Sequence, residues 1–152
     1  MATPNPPEQL DHLIATFSTA CRTAGLKVTH QRTEIYRQLL LTPDHPTAET
    51  LHKRLLATLP TISLDTVYRT LATLEQHGLV ARIQTIESQA RFEAVHGQHH
   101  HLICSVCKQV SDFSWPAIDI LQFPPTLDTW GMIDTKTIVM YGTCKHCLQP
   151  SR

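Results

Sequence analysis

Two pairs of cysteines carry the strongest chemical signal in this chain: Cys104-Ser105-Val106-Cys107 and Cys144-Lys145-His146-Cys147. Two intervening residues let both thiolates of a pair turn toward one ion, and two such pairs supply the four tetrahedral ligands of a closed structural zinc site. The fifth cysteine, Cys21, lies in an apolar helical stretch and reads as a small core residue. Imidazole is the second signal. Three of the ten histidines are consecutive, His99-His100-His101, just ahead of the first cysteine pair. Alternate side chains of an extended strand share a face, so His99 and His101 point together and His100 points away. Glu93 before the run and Asp112 after it can add carboxylates, and His45 sits in the proline-bounded loop Thr42-Pro43-Asp44-His45-Pro46. Three nitrogens and two oxygens, open to exchange, suit iron(II), manganese(II) or zinc better than calcium or magnesium. His12, His30, His52, His77 and His96 stand apart and read as ordinary surface or core histidines. His146 reads as a neighbour of a zinc ion whose tetrahedron four thiolates already complete.

The elements that must position these groups fall into two kinds. Apolar residues recur at helical spacing from Gln9 to about Ala24, with Gly25 as the stop. Thr29 opens a second helix to about Leu41 with Ile35, Leu39 and Leu40 inward. Thr47 opens a third, carrying Leu51, Leu55 and Leu56. Ser63 caps a fourth, whose Leu64, Val67, Leu71 and Leu74 face inward while Asp65, Tyr68, Arg69 and Thr73 face out, with Gly78 just past its end. Two β-rich runs follow, Leu79 to Ile86 and Ala90 to Val95, separated by Glu87-Ser88-Gln89 and readable as a hairpin. Three helices, a capped helix exposing Tyr68 and Arg69, and a two-stranded wing make a winged helix-turn-helix, which lays that last helix in the DNA major groove. Beyond it the chain turns to short β-rich runs, Leu102 to Cys104, Gln109 to Phe113 and Thr137 to Gly142. A helix from Trp115 must stop at Phe123-Pro124-Pro125, after about two turns. The fold class is therefore α+β, a winged-helix DNA-binding domain over residues 1–95 and a small α/β metal-binding domain with a four-cysteine zinc site over residues 96–152.

Composition sets the outer limits. Thirteen Lys and Arg balance thirteen Asp and Glu, so any nucleic-acid binding must come from a local surface and not from gross charge. No apolar run approaches the roughly 20 residues of a membrane span, and the start, Met1 to Gln9, is polar and proline-rich, so no membrane partner is expected.

The residues resemble the ferric uptake regulator family from about Ala24 to Cys147. The matching stretches are Ala24-Gly25-Leu26-Lys27-Val28-Thr29 with Gln31-Arg32, His45-Pro46-Thr47-Ala48-Glu49, Ser63 to Leu71, and Gly78-Leu79-Val80. Arg91-Phe92-Glu93, the histidine run, both cysteine pairs, Asp112-Phe113 and Tyr141-Gly142 complete the match. The resemblance implies a cytoplasmic, homodimeric, metal-dependent transcriptional repressor on a palindromic double-stranded operator. It implies structural zinc at Cys104, Cys107, Cys144 and Cys147, and regulatory iron(II) or manganese(II), with zinc as a further candidate, at His45, Glu93, His99, His101 and Asp112. In DNA binding, Tyr68 and Arg69 would meet bases, Lys27 would approach the minor groove, and Arg32, Ser63 and Thr66 would hold phosphates. The second half would be the dimerisation domain. Asp112 and the run Ser63 to Leu71 look like the peroxide-responsive branch, whereas Glu93 stands where those relatives have Asp. Many members carry a further metal site, and its counterparts here are Gln98, His100, Asp119 and Lys136. An ammonium is no ligand at neutral pH, so that site is expected to be absent. Pro124 and Pro125 fall where relatives have a longer helix. A zinc hydrolase with Glu93 as base is the alternative of another class, but no HExxH helix is present. The expectation is a regulator and not an enzyme, sensing metal and peroxide or, alternatively, metal alone in iron or zinc homeostasis.

Overall fold

The computed structural model describes residues 7–86, 89–95 and 97–149. Glu87 and Ser88 of the expected hairpin turn, and His96, lie outside the described residues. The chain divides into two compact units, residues 2–96 and residues 97–152.

The first unit holds α1 (Pro7–Thr23), α2 (His30–Leu41), α3 (Ala48–Leu55) and α4 (Leu64–Gln76), then the hairpin β1 (Val80–Ile83) and β2 (Arg91–Ala94). Its helix starts are set by side-chain oxygens that accept the first free amides. Thr29 accepts from the Arg32 amide at 3.2 Å, Thr47 from Thr50 at 3.2 Å and Ser63 from Thr66 at 3.1 Å. Gly25 and Gly78 follow α1 and α4 at φ +74° and +70°, a region costly for any residue with a Cβ. Phe17, Ile35, Leu51, Leu55, Val67, Leu71 and Leu74 form one core with Val80 and Phe92 of the hairpin, and Cys21 is buried within it. Phe17 stacks on Tyr36 with ring centroids 3.9 Å apart. Leu56, which follows the buried Leu55 directly, is 40% exposed because one residue along a helix turns the side chain about 100° off the inward face. Replacing Thr29 with Ala should lower the stability of this unit by about 1 kcal/mol, and Thr29→Ser should restore most of it. Denaturant unfolding followed by helical circular dichroism measures both, and an unchanged midpoint for Thr29→Ala would show that the cap contributes nothing.

The strands of the hairpin are shorter than their β-rich sequences. They pair antiparallel from Val80 opposite Ala94 to Ile83 opposite Arg91, and Ile86 is exposed. The second unit is a three-stranded sheet in the order β4 (Val110–Phe113), β3 (His100–Cys104), β5 (Val139–Gly142). β4 runs antiparallel to β3 and β5 parallel to it. The helix expected after Trp115 is a single turn, α5 (Pro116–Asp119), followed by a 3-10 turn at Pro125–Leu127. Pro116 opens α5 without a side-chain cap, so nothing local extends it. The last element is α6 (Lys145–Leu148). No helix among the described residues is long and apolar enough to cross a membrane.

Candidate functional site

β5 delivers one cysteine pair to the other. β3 ends at Cys104, and the turn behind it closes when the Lys108 amide donates to the Cys104 carbonyl at 2.9 Å, with Lys108 at φ +65°. Parallel pairing puts Gly142 opposite Cys104, and the Ser105 amide donates to the Gly142 carbonyl at 2.7 Å. Two residues later Cys144 opens α6, whose single turn carries Cys147. The four sulfurs lie within 4.8 Å of one another, and none is in a disulfide. Amides of Cys144 and Cys107 hold the Cys104 thiol down to about 5, while burial and the neighbouring thiols push Cys147 up to about 12. Thiols this close resist joint ionisation unless a cation neutralises them. The four sulfurs are a donor set that fits a tetrahedral, sulfur-binding ion such as zinc.

The residues expected at the regulatory site form two groups, one in each unit. In the first unit His45, 3% exposed, has Nε2 2.9 Å from Glu93 Oε2. The pair is set by the hairpin: the Phe92 amide donates to the Pro46 carbonyl at 3.0 Å and the Arg91 guanidinium to the His45 carbonyl at 3.2 Å. His45 is held at φ +50°, a strained conformation that this framework maintains. In the second unit the sheet register places His101 opposite Asp112. His101 Nε2 is 3.6 Å and His99 Nε2 is 4.0 Å from Asp112 Oδ1, and the two rings meet edge to face at 4.9 Å. Imidazole nitrogens converging on a carboxylate oxygen are a donor set that fits a divalent first-row ion.

His100 faces the other way, as strand alternation requires. It is fully buried, accepts the Ile138 amide on Nδ1 at 3.2 Å and sets Nε2 3.0 Å from Asp119 Oδ1, beside the Phe113 ring. Lys136 donates to the Leu121 carbonyl at 2.7 Å and lies 5.1 Å over the Phe123 ring, and the Gln98 amide donates to the Lys136 carbonyl. With an ammonium among them, these four residues do not fit a metal ion; they tie α5 and the segment before β5 onto β3. Of the remaining histidines, His52 donates from Nε2 to the Ile62 carbonyl at 2.9 Å, and His12, His30, His77 and His146 are exposed.

On α4, Tyr68 is 41% exposed and the Arg69 side chain 81% exposed, on the face opposite Val67, Leu71 and Leu74. Ser63 and Thr66 are engaged in the cap that starts this helix, and the Arg32 guanidinium donates to the Lys27 carbonyl, bracing the entry to α2. Sequence reasoning missed Glu49, whose Oε1 accepts the Tyr68 hydroxyl at 2.5 Å, and Arg91, which braces His45. Both residues lie in stretches that carry the family resemblance, but the contacts themselves are long-range and leave no periodic signal.

The ferric uptake regulator family model matches residues 23–132. The chain belongs to that family. A peroxide-responsive repressor, PerR, of Staphylococcus epidermidis is 31% identical over 140 residues, covering 92% of this chain and 93% of that protein. The ferric uptake regulator of Pseudomonas aeruginosa, solved with manganese, superposes at TM-score 0.70 with 31% identity over 84% of this chain and 97% of that one. The Helicobacter pylori ferric uptake regulator matches the fold over 100% of both chains at TM-score 0.77 and 23% identity. As a member of the ferric uptake regulator family the chain is a metal-responsive, DNA-binding transcriptional repressor and not an enzyme, so the hydrolase alternative falls away. Repressors of this family act as dimers on DNA operators.

Proposed function

We propose that this protein is a cytoplasmic homodimeric repressor that binds a palindromic operator when iron(II) or manganese(II) is held by His45, Glu93, His99, His101 and Asp112, and that it responds to hydrogen peroxide. The convergence of His99 and His101 on Asp112 is the observation that carries the reading. The buried His45–Glu93 pair supplies the other ligands. With ligands drawn from both halves of the chain, the ties among these five residues would set the spacing of the two α4 helices in a dimer, so that both fit successive major grooves. Tyr68 and Arg69 would read base edges, Lys27 would approach the minor groove, and Arg32, Ser63 and Thr66 would meet phosphates. The exposed edge strand β5, with Ile120, Trp130 and Met132 also exposed in the same unit, offers the apolar surface a second copy would cover.

Two residues bear on peroxide from opposite sides. Asp112 matches the peroxide-responsive relatives, and the 31% identical relative carries that function in its name. Glu93 is longer by one methylene than the Asp at that position in those relatives. A bidentate Glu93 would close the open coordination position, which favours a plain metal sensor as the second reading. Iron(II), when bound, supplies redox chemistry with peroxide that manganese(II) does not. The protein loaded with each ion is treated with low peroxide without oxygen, and His45, His99 and His101 are read by mass spectrometry alongside DNA release. A single added oxygen and release in the iron form alone is the expected result; an iron form that stays unmodified and DNA-bound leaves the metal-sensor reading.

A further inference from the structure

We infer that Glu49 is a positioning residue for DNA reading, committing the Tyr68 hydroxyl proton so that Tyr68 presents to a base only its oxygen lone pairs and ring edge. The inference rests on the proposed role of α4 in the major groove. Glu49 lies in the first turn of α3, behind the Thr47 cap, where the helix dipole favours a carboxylate. Its Oε1 receives the Tyr68 hydroxyl across nineteen residues of sequence. The Tyr68 hydrogen bond and then the Glu49 backbone amide hold the Glu49 carboxyl below its usual range, and the same bond raises the Tyr68 phenol. At neutral pH the pair is therefore a carboxylate acceptor and a neutral phenol donor.

The Glu49 bond holds the Tyr68 hydroxyl. Tyr68 lines an open cleft of about 440 Å³ between α3, α4 and the hairpin, together with Glu49, Arg82, Gln84 and Phe92. Arg82 does not take over the carboxylate, because its guanidinium lies over the Phe92 ring at 5.6 Å and 4.0 Å from Glu75. A tyrosine with a free hydroxyl could turn into this cleft, or donate to phosphate oxygens, guanine O6 and N7, or thymine O4. Held by Glu49, it can only accept, from the exocyclic amine of cytosine or adenine, or pack its ring against a thymine methyl. The carboxylate also repels phosphate, so Glu49 trades affinity for all DNA against discrimination among sequences.

The test uses the full-length protein loaded with zinc and manganese(II), and a duplex it selects from a randomised pool, with single base-pair changes scanned through that duplex. Glu49→Ala and Glu49→Gln remove the same charge, but only the glutamine oxygen can still accept the Tyr68 proton. Both variants should bind random duplex more tightly. Glu49→Ala should lose about 2- to 10-fold discrimination at one base pair of each half-site, the range of a single net hydrogen bond, whereas Glu49→Gln keeps it. Tyr68→Phe should lose discrimination at the same base pair, and adding Glu49→Ala to it should cost nothing further there. Equal losses in the Ala and Gln variants, or a wild-type preference profile in Glu49→Ala, would overturn the inference. If Tyr68→Ala leaves the profile of a sequence-selective protein unchanged, the placement of α4 in the proposed function has failed and the inference with it.

Discussion

Replacing Cys104 or Cys147 with Ser should unfold the second unit while leaving the first folded. The reason is the distribution of buried apolar surface. The core cluster runs from Phe17 to Ala94 and contains no residue of the second unit. Among the described residues beyond Gly97, the buried side chains are Ile103, Cys104 and Val110 with His100 and His101, too few to offset the entropy of ordering more than fifty residues. A structural zinc site supplies roughly 10–16 kcal/mol of apparent binding free energy, comparable to the whole stability of an ordinary domain at about 5–15 kcal/mol. Loss of one thiolate, or removal of zinc by a strong chelator, should therefore take zinc content from one equivalent to none. It should also expose amides of β3, β4 and β5 to rapid hydrogen exchange, while α1 to α4 stay protected. A Cys147→Ser protein with a protected sheet in the second unit would refute the zinc staple.

His101→Ala is the second large effect, and it should separate the two metal sites. The residue is 4% exposed and faces Asp112 across the β3–β4 pair, so its loss removes a nitrogen donor without touching the cysteines. Disturbing a residue that merely orients a ligand costs roughly 10- to 100-fold in metal affinity, so loss of a ligand should cost on the order of 100-fold or more. Structural zinc should remain at one equivalent. Manganese(II) should no longer strengthen operator binding at concentrations that saturate the wild type, as a titration followed by fluorescence anisotropy will show. His146→Ala, at an exposed position beside the cysteines, should leave both behaviours intact. If His101→Ala and wild type respond to the same manganese concentration, the assignment of His101 as a ligand is wrong.

What could be read from the chain by itself was whatever local geometry enforces. Thr29, Thr47 and Ser63 begin helices because a hydroxyl three residues ahead of a free amide can accept it, wherever the helix then packs. His100 parts company with its two neighbours because strand side chains alternate, and each cysteine pair is a candidate chelate because two intervening residues set its span. Pairings between distant segments had no such signal. The parallel register of β5 against β3 brings Gly142 beside Cys104 and so makes one site of two cysteine pairs. The antiparallel register of β4 puts Asp112 opposite His101, and the hairpin's bond from Phe92 to Pro46 holds Glu93 at His45. Family resemblance named these ligands in advance, but their distances depend on strand registers, which a slip of one residue would reverse face by face. The same distinction explains where an element is shorter than expected: the helix after Trp115 stops at one turn because no side-chain cap extends it and none of its residues is buried. Tertiary structure alone decided that Lys136 would bridge to Leu121 and Phe123, and that the hydroxyl of Tyr68 would be held by Glu49, since each contact joins residues whose proximity only packing creates.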